Sequence, residues 1–222
     1  MMSRFFRRSV AGAALLLGAL VGSAAEAHPH VFVDVRTEIV FDGEGRITAL
    51  RHVWRFDDAF SAFASQGLDT NGDGILSVEE LQPLAKVNID SLKDYDYFTI
   101  LRSAGKRTGF RIPTEYWLQS ADGYLTLFYT LPLMQPVKPD KDGVTIEVYD
   151  PSYFVDYTFV DKDPVALKGA PASCTFDLKR KGSPDEATAA ILGQIPASER
   201  NLPPSLRIVT NQLANIISVK CP

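Results

Sequence analysis

Between Val31 and Phe41 the chain alternates, with Val31, Val33, Val35, Ile39 and Phe41 on one side and His30, Phe32, Asp34, Arg36 and Glu38 on the other. A period of two turns one face to a core and the other to solvent, which predicts a half-buried strand. Asp42-Gly43-Glu44-Gly45 carries turn chemistry, and the alternation resumes over Arg46 to Phe56 with Leu50, His52, Trp54 and Phe56 on one side. Together these segments predict a hairpin. With residues 42–45 as its turn, residue 41 faces 46, His30 falls opposite Asp57, and His52 falls opposite Val35.

At Asp57 the spacing becomes helical. Asp57-Asp58-Ala59-Phe60-Ser61-Ala62-Phe63 begins with the negative charges that suit a helix N-terminus. A second helical stretch follows Glu80 through Leu81, Leu84, Val87 and Leu92, ending near Lys93, with Pro83 expected in its first turn. Strand patterns return at Tyr97 to Leu101, Thr114 to Leu118, Tyr124 to Leu131, Val144 to Tyr149 and Phe154 to Phe159, separated by Gly, Pro and Asp. Pro184 to Leu192 reads as a short helix, and Leu206 to Val219 fits either a closing strand or a helix. The expected fold class is β-rich α+β: an antiparallel sandwich or open barrel, with a helical insertion at about residues 57–93.

The N-terminus changes the picture of where this domain starts. Arg4, Arg7 and Arg8 precede an apolar run from Val10 to Val21, and Ala25-Glu26-Ala27 places small residues at both cleavage-recognition positions. Residues 1–27 therefore read as a signal peptide, with a periplasmic destination and no stable membrane anchor after cleavage. The run is shorter than the roughly 20 residues that span a bilayer. Residues 28–222 then form a single domain carrying 20 basic and 26 acidic side chains, a balance that argues against nucleic acid as partner. In an oxidising compartment the only two cysteines, Cys174 and Cys221, are expected to form a disulfide.

The segment between the two predicted helices carries the most specific chemistry. Asp69-Thr70-Asn71-Gly72-Asp73-Gly74-Ile75-Leu76-Ser77-Val78-Glu79-Glu80 matches an EF-hand calcium loop at each diagnostic position. Asp69, Asn71 and Asp73 would present side-chain oxygens, Gly74 the sharp turn, and Ile75 a backbone carbonyl. Ser77 would act directly or through water, and Glu80 would close the shell with two oxygens. An acidic turn that binds nothing is the plain alternative. A single hand suits a structural clip better than a fast sensor.

Two of the three histidines open the predicted mature chain. His28 would expose both an α-amine and an imidazole; with His30, Asp57 and Asp58 it could form an N/O site for nickel, cobalt, zinc or copper. Pro29 lacks an amide hydrogen, which disfavours a simple square-planar chelate. A solvent-exposed terminus explains the same residues without a metal. His52 reads as a packed residue beside Trp54.

The signal, His28-Pro29-His30-Val31-Phe32-Val33-Asp34, Trp54-Arg55-Phe56-Asp57, the Asp69 to Glu80 loop and Tyr149-Asp150-Pro151-Ser152-Tyr153-Phe154 together resemble a bacterial domain-of-unknown-function family. Its members are often labelled the periplasmic component of an uncharacterised ABC-type transport system. The resemblance implies a metal-handling accessory of a nickel/cobalt-type inner-membrane permease or ABC-type transporter. It supplies no catalytic residues, and the expectation is a non-enzymatic protein. Two rival expectations are a secreted copper-dependent oxidative enzyme using the N-terminal histidine and a calcium-stabilised envelope interaction module. Asp150 to Phe154 is expected either to contact a ligand or, more simply, to enter the core as an aromatic strand.

Overall fold

A computed structural model describes residues 29–196, 199 and 202–222. The predicted signal peptide and His28 lie outside the described residues. In chain order the elements are β1 (Val31–Phe41), β2 (Ile47–Phe56), α1 (Asp58–Ala64), α2 (Val78–Lys93), β3 (Thr99–Ser103), β4 (Lys106–Thr108), β5 (Tyr116–Ala121) and β6 (Tyr124–Val137), followed by β7 (Val144–Val148), β8 (Val155–Phe159), β9 (Val165–Lys168), β10 (Thr175–Lys179), α3 (Glu186–Leu192), α4 (Pro204–Gln212) and β11 (Asn215–Lys220).

The first hairpin forms, but in a different register. Asp42 folds the turn around itself: its Oδ1 accepts from the backbone N–H of Glu44 at 3.0 Å and of Arg46 at 2.9 Å, while its own N–H donates to the Arg46 carbonyl at 2.9 Å. Arg46 thus pairs with Asp42, and the loop shrinks to residues 43–45 with Gly45 at φ +72°, a conformation that suits glycine. Phe41 then faces Ile47, and a bulge between Val40 and Phe41 adds a second one-residue shift. His52 lies opposite Thr37 and Trp54 opposite Val35, in place of the expected His52–Val35 pairing. Two single shifts restore the face that each residue occupies, which is why the predicted inward set remains buried.

Two sheets follow, in the orders β5-β6-β2-β1-β8, with β9 also on β1, and β10-β11-β7-β3-β4. Neither closes into a barrel. Strands β8 and β9 run parallel to β1 at successive positions along it, Val31 to Val35 and Thr37 to Val40, so the first sheet is mixed where an antiparallel one was expected. The chain reaches β8 by crossing from β7 in the second sheet, and a crossover permits parallel pairing where a tight hairpin does not. Leu206 to Val219 is both helix and strand: α4 ends at Gln212 and β11 starts at Asn215. Strands β4 and β10 carry no buried residues, so no period-two apolar signal marked them.

Core residues from both sheets meet between the layers, among them Val35, Leu50, Trp54 and Leu127 from the first sheet and Leu101, Ile146 and Ile217 from the second. Helix α2 adds Leu81, Ala85 and Ile89, all at most 1% exposed, and lies along β5. Their i, i+4, i+8 spacing makes one apolar stripe. The helix starts at Val78, inside the predicted calcium loop, so Pro83 sits in its second turn, later than the sequence suggested. Pro83 has no N–H to offer the Glu79 carbonyl, and both residues are exposed.

His52 is 1% exposed. Its Nδ1 lies 3.0 Å from Thr37 Oγ1 and its Nε2 3.5 Å from Thr99 Oγ1, whose hydrogen goes to the Tyr97 carbonyl. Thr37 therefore donates to Nδ1, and Nε2–H donates to Thr99, an arrangement that needs a neutral ring. Burial lowers the His52 pKa to about 3.

Cys174 and Cys221 form a disulfide across 47 positions. Thr175 pairs with Lys220, so the bridge extends the β10–β11 ladder by one rung. No helix among the described residues is long and apolar enough to cross a membrane.

Replacing both cysteines with serine should lower urea-derived stability by about 3–4 kcal/mol, the entropy of a loop of this length. His52 supplies a pH test. Its folded pKa is depressed below the unfolded value of about 6.5, so the unfolded chain binds the extra proton between roughly pH 6.5 and 3. Stability should be complete above that window and fall with pH inside it. In His52→Gln the acid limb should lose up to about 1.4 kcal/mol per pH unit of slope, read by urea unfolding at a series of pH values.

Candidate functional site

Asp69, Asn71 and Asp73 are each held by loop amides. Asp69 Oδ1 accepts from Gly72 N–H at 2.7 Å and Oδ2 from Gly74 N–H at 2.9 Å. Asn71 Oδ1 accepts from Asp73 N–H at 2.9 Å, and Asp73 Oδ1 from Ile75 N–H at 2.8 Å. Gly72 and Gly74 take φ of +74° and +80°, a left-handed conformation that brings successive amides around these oxygens.

Glu80 reaches across the loop. Its Oε1 accepts from the N–H and hydroxyl of Thr70, both at 2.8 Å, and from Asn71 N–H at 3.3 Å. Its Oε2 accepts from the N–H and hydroxyl of Ser77 at 3.0 and 2.8 Å. Ser77 is the N-cap of α2 and Glu80 its third residue, which makes a capping box. Hydrogen bonds from the Ser77 amide and from Thr70 lower the Glu80 pKa to about 2, so the carboxylate is charged throughout the neutral range. Thr70 was not singled out in the sequence, because position two of this loop has no ligand requirement.

The predicted ligands Asp69, Asn71, Asp73, Ile75, Ser77 and Glu80 therefore lie on one compact loop, with the carboxylates engaged by amides and hydroxyls. Among the described residues no group of three or more His, Cys, Asp and Glu side chains is gathered as a metal cage. The donor set suits a hard cation: oxygens from three carboxylates, one amide, one hydroxyl and one backbone carbonyl, with no sulfur or imidazole.

The N-terminal candidates are spread differently. His30 N–H donates to the Phe154 carbonyl at 2.8 Å, and the two rings lie 4.9 Å apart. Asp57 belongs with Phe32 instead: its N–H donates to the Phe32 carbonyl at 2.9 Å, and its Oδ2 accepts from Phe32 N–H at 2.7 Å. The expected His30–Asp57 pairing is thus displaced by the shifted hairpin register. Asp57 Oδ1 caps α1 through Phe60 N–H. Asp57 and Asp58 line an open cavity of about 250 Å³ with Asp34 and Arg55, whose guanidinium lies 4.1 Å from the Tyr124 ring centre; His30 does not line it.

Comparison with known proteins returns relatives without an assigned activity. An uncharacterized protein of Haemophilus influenzae is 24% identical over 209 residues, covering 93% of this chain and 97% of that protein. An uncharacterized 15.5 kDa protein in the trpE 3′ region of Spirochaeta aurantia is 37% identical over 100 residues, 45% of this chain and 71% of that protein. Among solved structures, AChBP from Bulinus truncatus aligns over 89% of this chain and 87% of its own with 11% identity and a TM-score of 0.32. The family described as "Protein of unknown function (DUF1007)" matches residues 13–221, and the chain belongs to it.

Proposed function

We propose that the protein is a non-enzymatic, calcium-binding accessory of a metal transport system, exported to the periplasm through residues 1–27. The observation that carries the reading is the loop from Asp69 to Glu80. Its oxygen donors follow the order that a calcium shell requires, and two left-handed glycines wrap the chain around them. On binding, Glu80 would exchange its hydrogen bonds from Thr70 and Ser77 for the cation. Asp69 and Asp73 would add charge, while Asn71, Ser77 and the Ile75 carbonyl would complete the shell. Calcium would then join the end of α1 to the start of α2, a structural clip.

The transport part rests on the family resemblance. His28 and His30 are the proposed capture point for nickel, cobalt, zinc or copper, with His30 beside the Phe154 ring, for handover to an inner-membrane permease. Asp57, paired with Phe32 in place of His30, and Asp58 play a lesser part in this reading.

Calorimetric titration of the purified, metal-stripped protein tests the proposal. Calcium should bind with one-to-one stoichiometry and raise the unfolding temperature, as any ligand of the folded state does. Glu80→Gln should weaken binding by about tenfold or more, equivalent to about 1.4 kcal/mol. Nickel should bind separately and be lost in His28→Ala/His30→Ala. Unaltered calcium affinity in Glu80→Gln would remove the calcium reading, and nickel binding that survives the double substitution would remove the histidine site.

A further inference from the structure

An aromatic-lined cavity lies away from the calcium loop and shares only Phe154 with the surroundings of His30. A cavity of about 310 Å³ opens between β1, β2, the C-terminal half of α2 and the loop that carries the chain from β7 to β8. Its aromatic lining includes Trp54, Phe56, Tyr95, Phe98, Phe154 and Tyr157. These rings already contact one another: Trp54–Tyr157 at 4.7 Å, Phe98–Tyr157 at 5.5 Å and Tyr95–Phe98 stacked at 5.2 Å. The volume is at the lower end of the range for small-molecule sites.

Its charge is one-sided. Asp150, 5% exposed, is the only carboxylate in the lining, which contains no Lys, Arg or His. Asp150 Oδ1 accepts from the N–H and hydroxyl of Ser152, both at 2.7 Å, and Oδ2 accepts from the N–H of Phe154 and Val155 at 3.1 and 3.0 Å. All four donors are neutral, and no basic side chain lines the cavity. Aromatic faces add partial negative charge of their own. Trp54 Nε1, a donor on a lining residue 1% exposed, has no hydrogen-bond acceptor among the described residues.

The backbone on both walls is held in unfavourable conformations. Asp96, Tyr97 and Phe98 have φ of +51°, +56° and +47°, a left-handed turn of three non-glycine residues that sets Phe98 against Tyr95. Across the cavity Tyr153, within the Asp150 loop, has φ +56°. Left-handed residues with side chains concentrate where a fold holds a functional geometry.

The geometry points to a binding site for a small organic cation of the quaternary-ammonium class, its methylated nitrogen among the rings and its charge answered by Asp150. A hydroxyl or other acceptor on the ligand would match the indole N–H of Trp54. The inference is independent of the calcium and histidine readings.

Choline and its neutral isostere 3,3-dimethylbutan-1-ol provide the test, at constant ionic strength. Trp54 and Trp117 are the only two tryptophans, so Trp117→Phe leaves Trp54 as the sole indole reporter. Choline should change its emission saturably and bind about tenfold or more tighter than the isostere, the range expected for a desolvated cation–π site. Ser91→Phe, on the exposed rim, should block the response, and Tyr95→Leu should weaken choline more than the isostere. An isostere that binds as tightly as choline would overturn the cation assignment. Choline binding that survives Ser91→Phe, or none in a Trp117→Phe protein with native circular dichroism, would overturn the site.

Discussion

Glu80 serves two structures with one carboxylate. One oxygen takes three hydrogen bonds from Thr70 and Asn71 at the start of the loop, and the other takes two from Ser77 at the N-cap of α2. The loop closure and the helix cap thus share one side chain. That matters because α2 contributes Leu81, Ala85 and Ile89 to the core and, further along, Asn88 and Leu92 to the aromatic cavity. At about 1.5 Å per residue, Leu92 lies about 18 Å along the axis from Glu80. The loop and the cavity are therefore two stations on one rigid element. Ser61 fixes the preceding helix by a different route, accepting the Leu125 N–H at 2.9 Å through its buried hydroxyl.

What could be read from the sequence depended on how local its cause was. The loop from Asp69 to Glu80 was legible because its geometry comes from glycines and short acidic side chains within twelve positions. The inward faces of β1 and β2 were legible for a similar reason, since alternation survives any even shift of register. Their pairing was not: it turned on Asp42 drawing Arg46 into the turn and on a bulge at Val40, neither of which changes the hydrophobic pattern. The disulfide followed from compartment and cysteine count, while its place as one further rung of the β10–β11 ladder required the fold.

Other features were hidden because their partners are distant in sequence. His52 was read as packed, but the partners that satisfy its buried neutral ring, Thr37 and Thr99, come from two different sheets. Parallel pairing of β8 and β9 with β1 depends on a crossover that no single segment encodes. The cavity gathers residues from Val31 to Tyr157. Its one legible part was the Asp150 to Phe154 segment, where the sequence suggested either ligand contact or core packing. The structure gives that segment a third task, because Asp150 uses both carboxylate oxygens to fold the entry to β8.

The left-handed turn at Asp96 to Phe98 shows why such a cavity persists. Side chains in this conformation cost about 1 kcal/mol or more per residue, against which the turn sets a hydrogen bond of its own, from Phe98 N–H to the Tyr95 carbonyl at 3.0 Å. Tertiary packing adds to this: Tyr97 is 4% exposed, and burying a large ring contributes about 1.5–3 kcal/mol, less the cost of its buried hydroxyl, which has no hydrogen-bond partner among the described residues. The same rotation turns Phe98 toward Tyr157 and stacks it on Tyr95. Ordinary right-handed or extended backbone at these positions would send Tyr97 and Phe98 in other directions, removing one wall of the cavity and one anchor of the core together. The strain is therefore coupled to the packing that retains it.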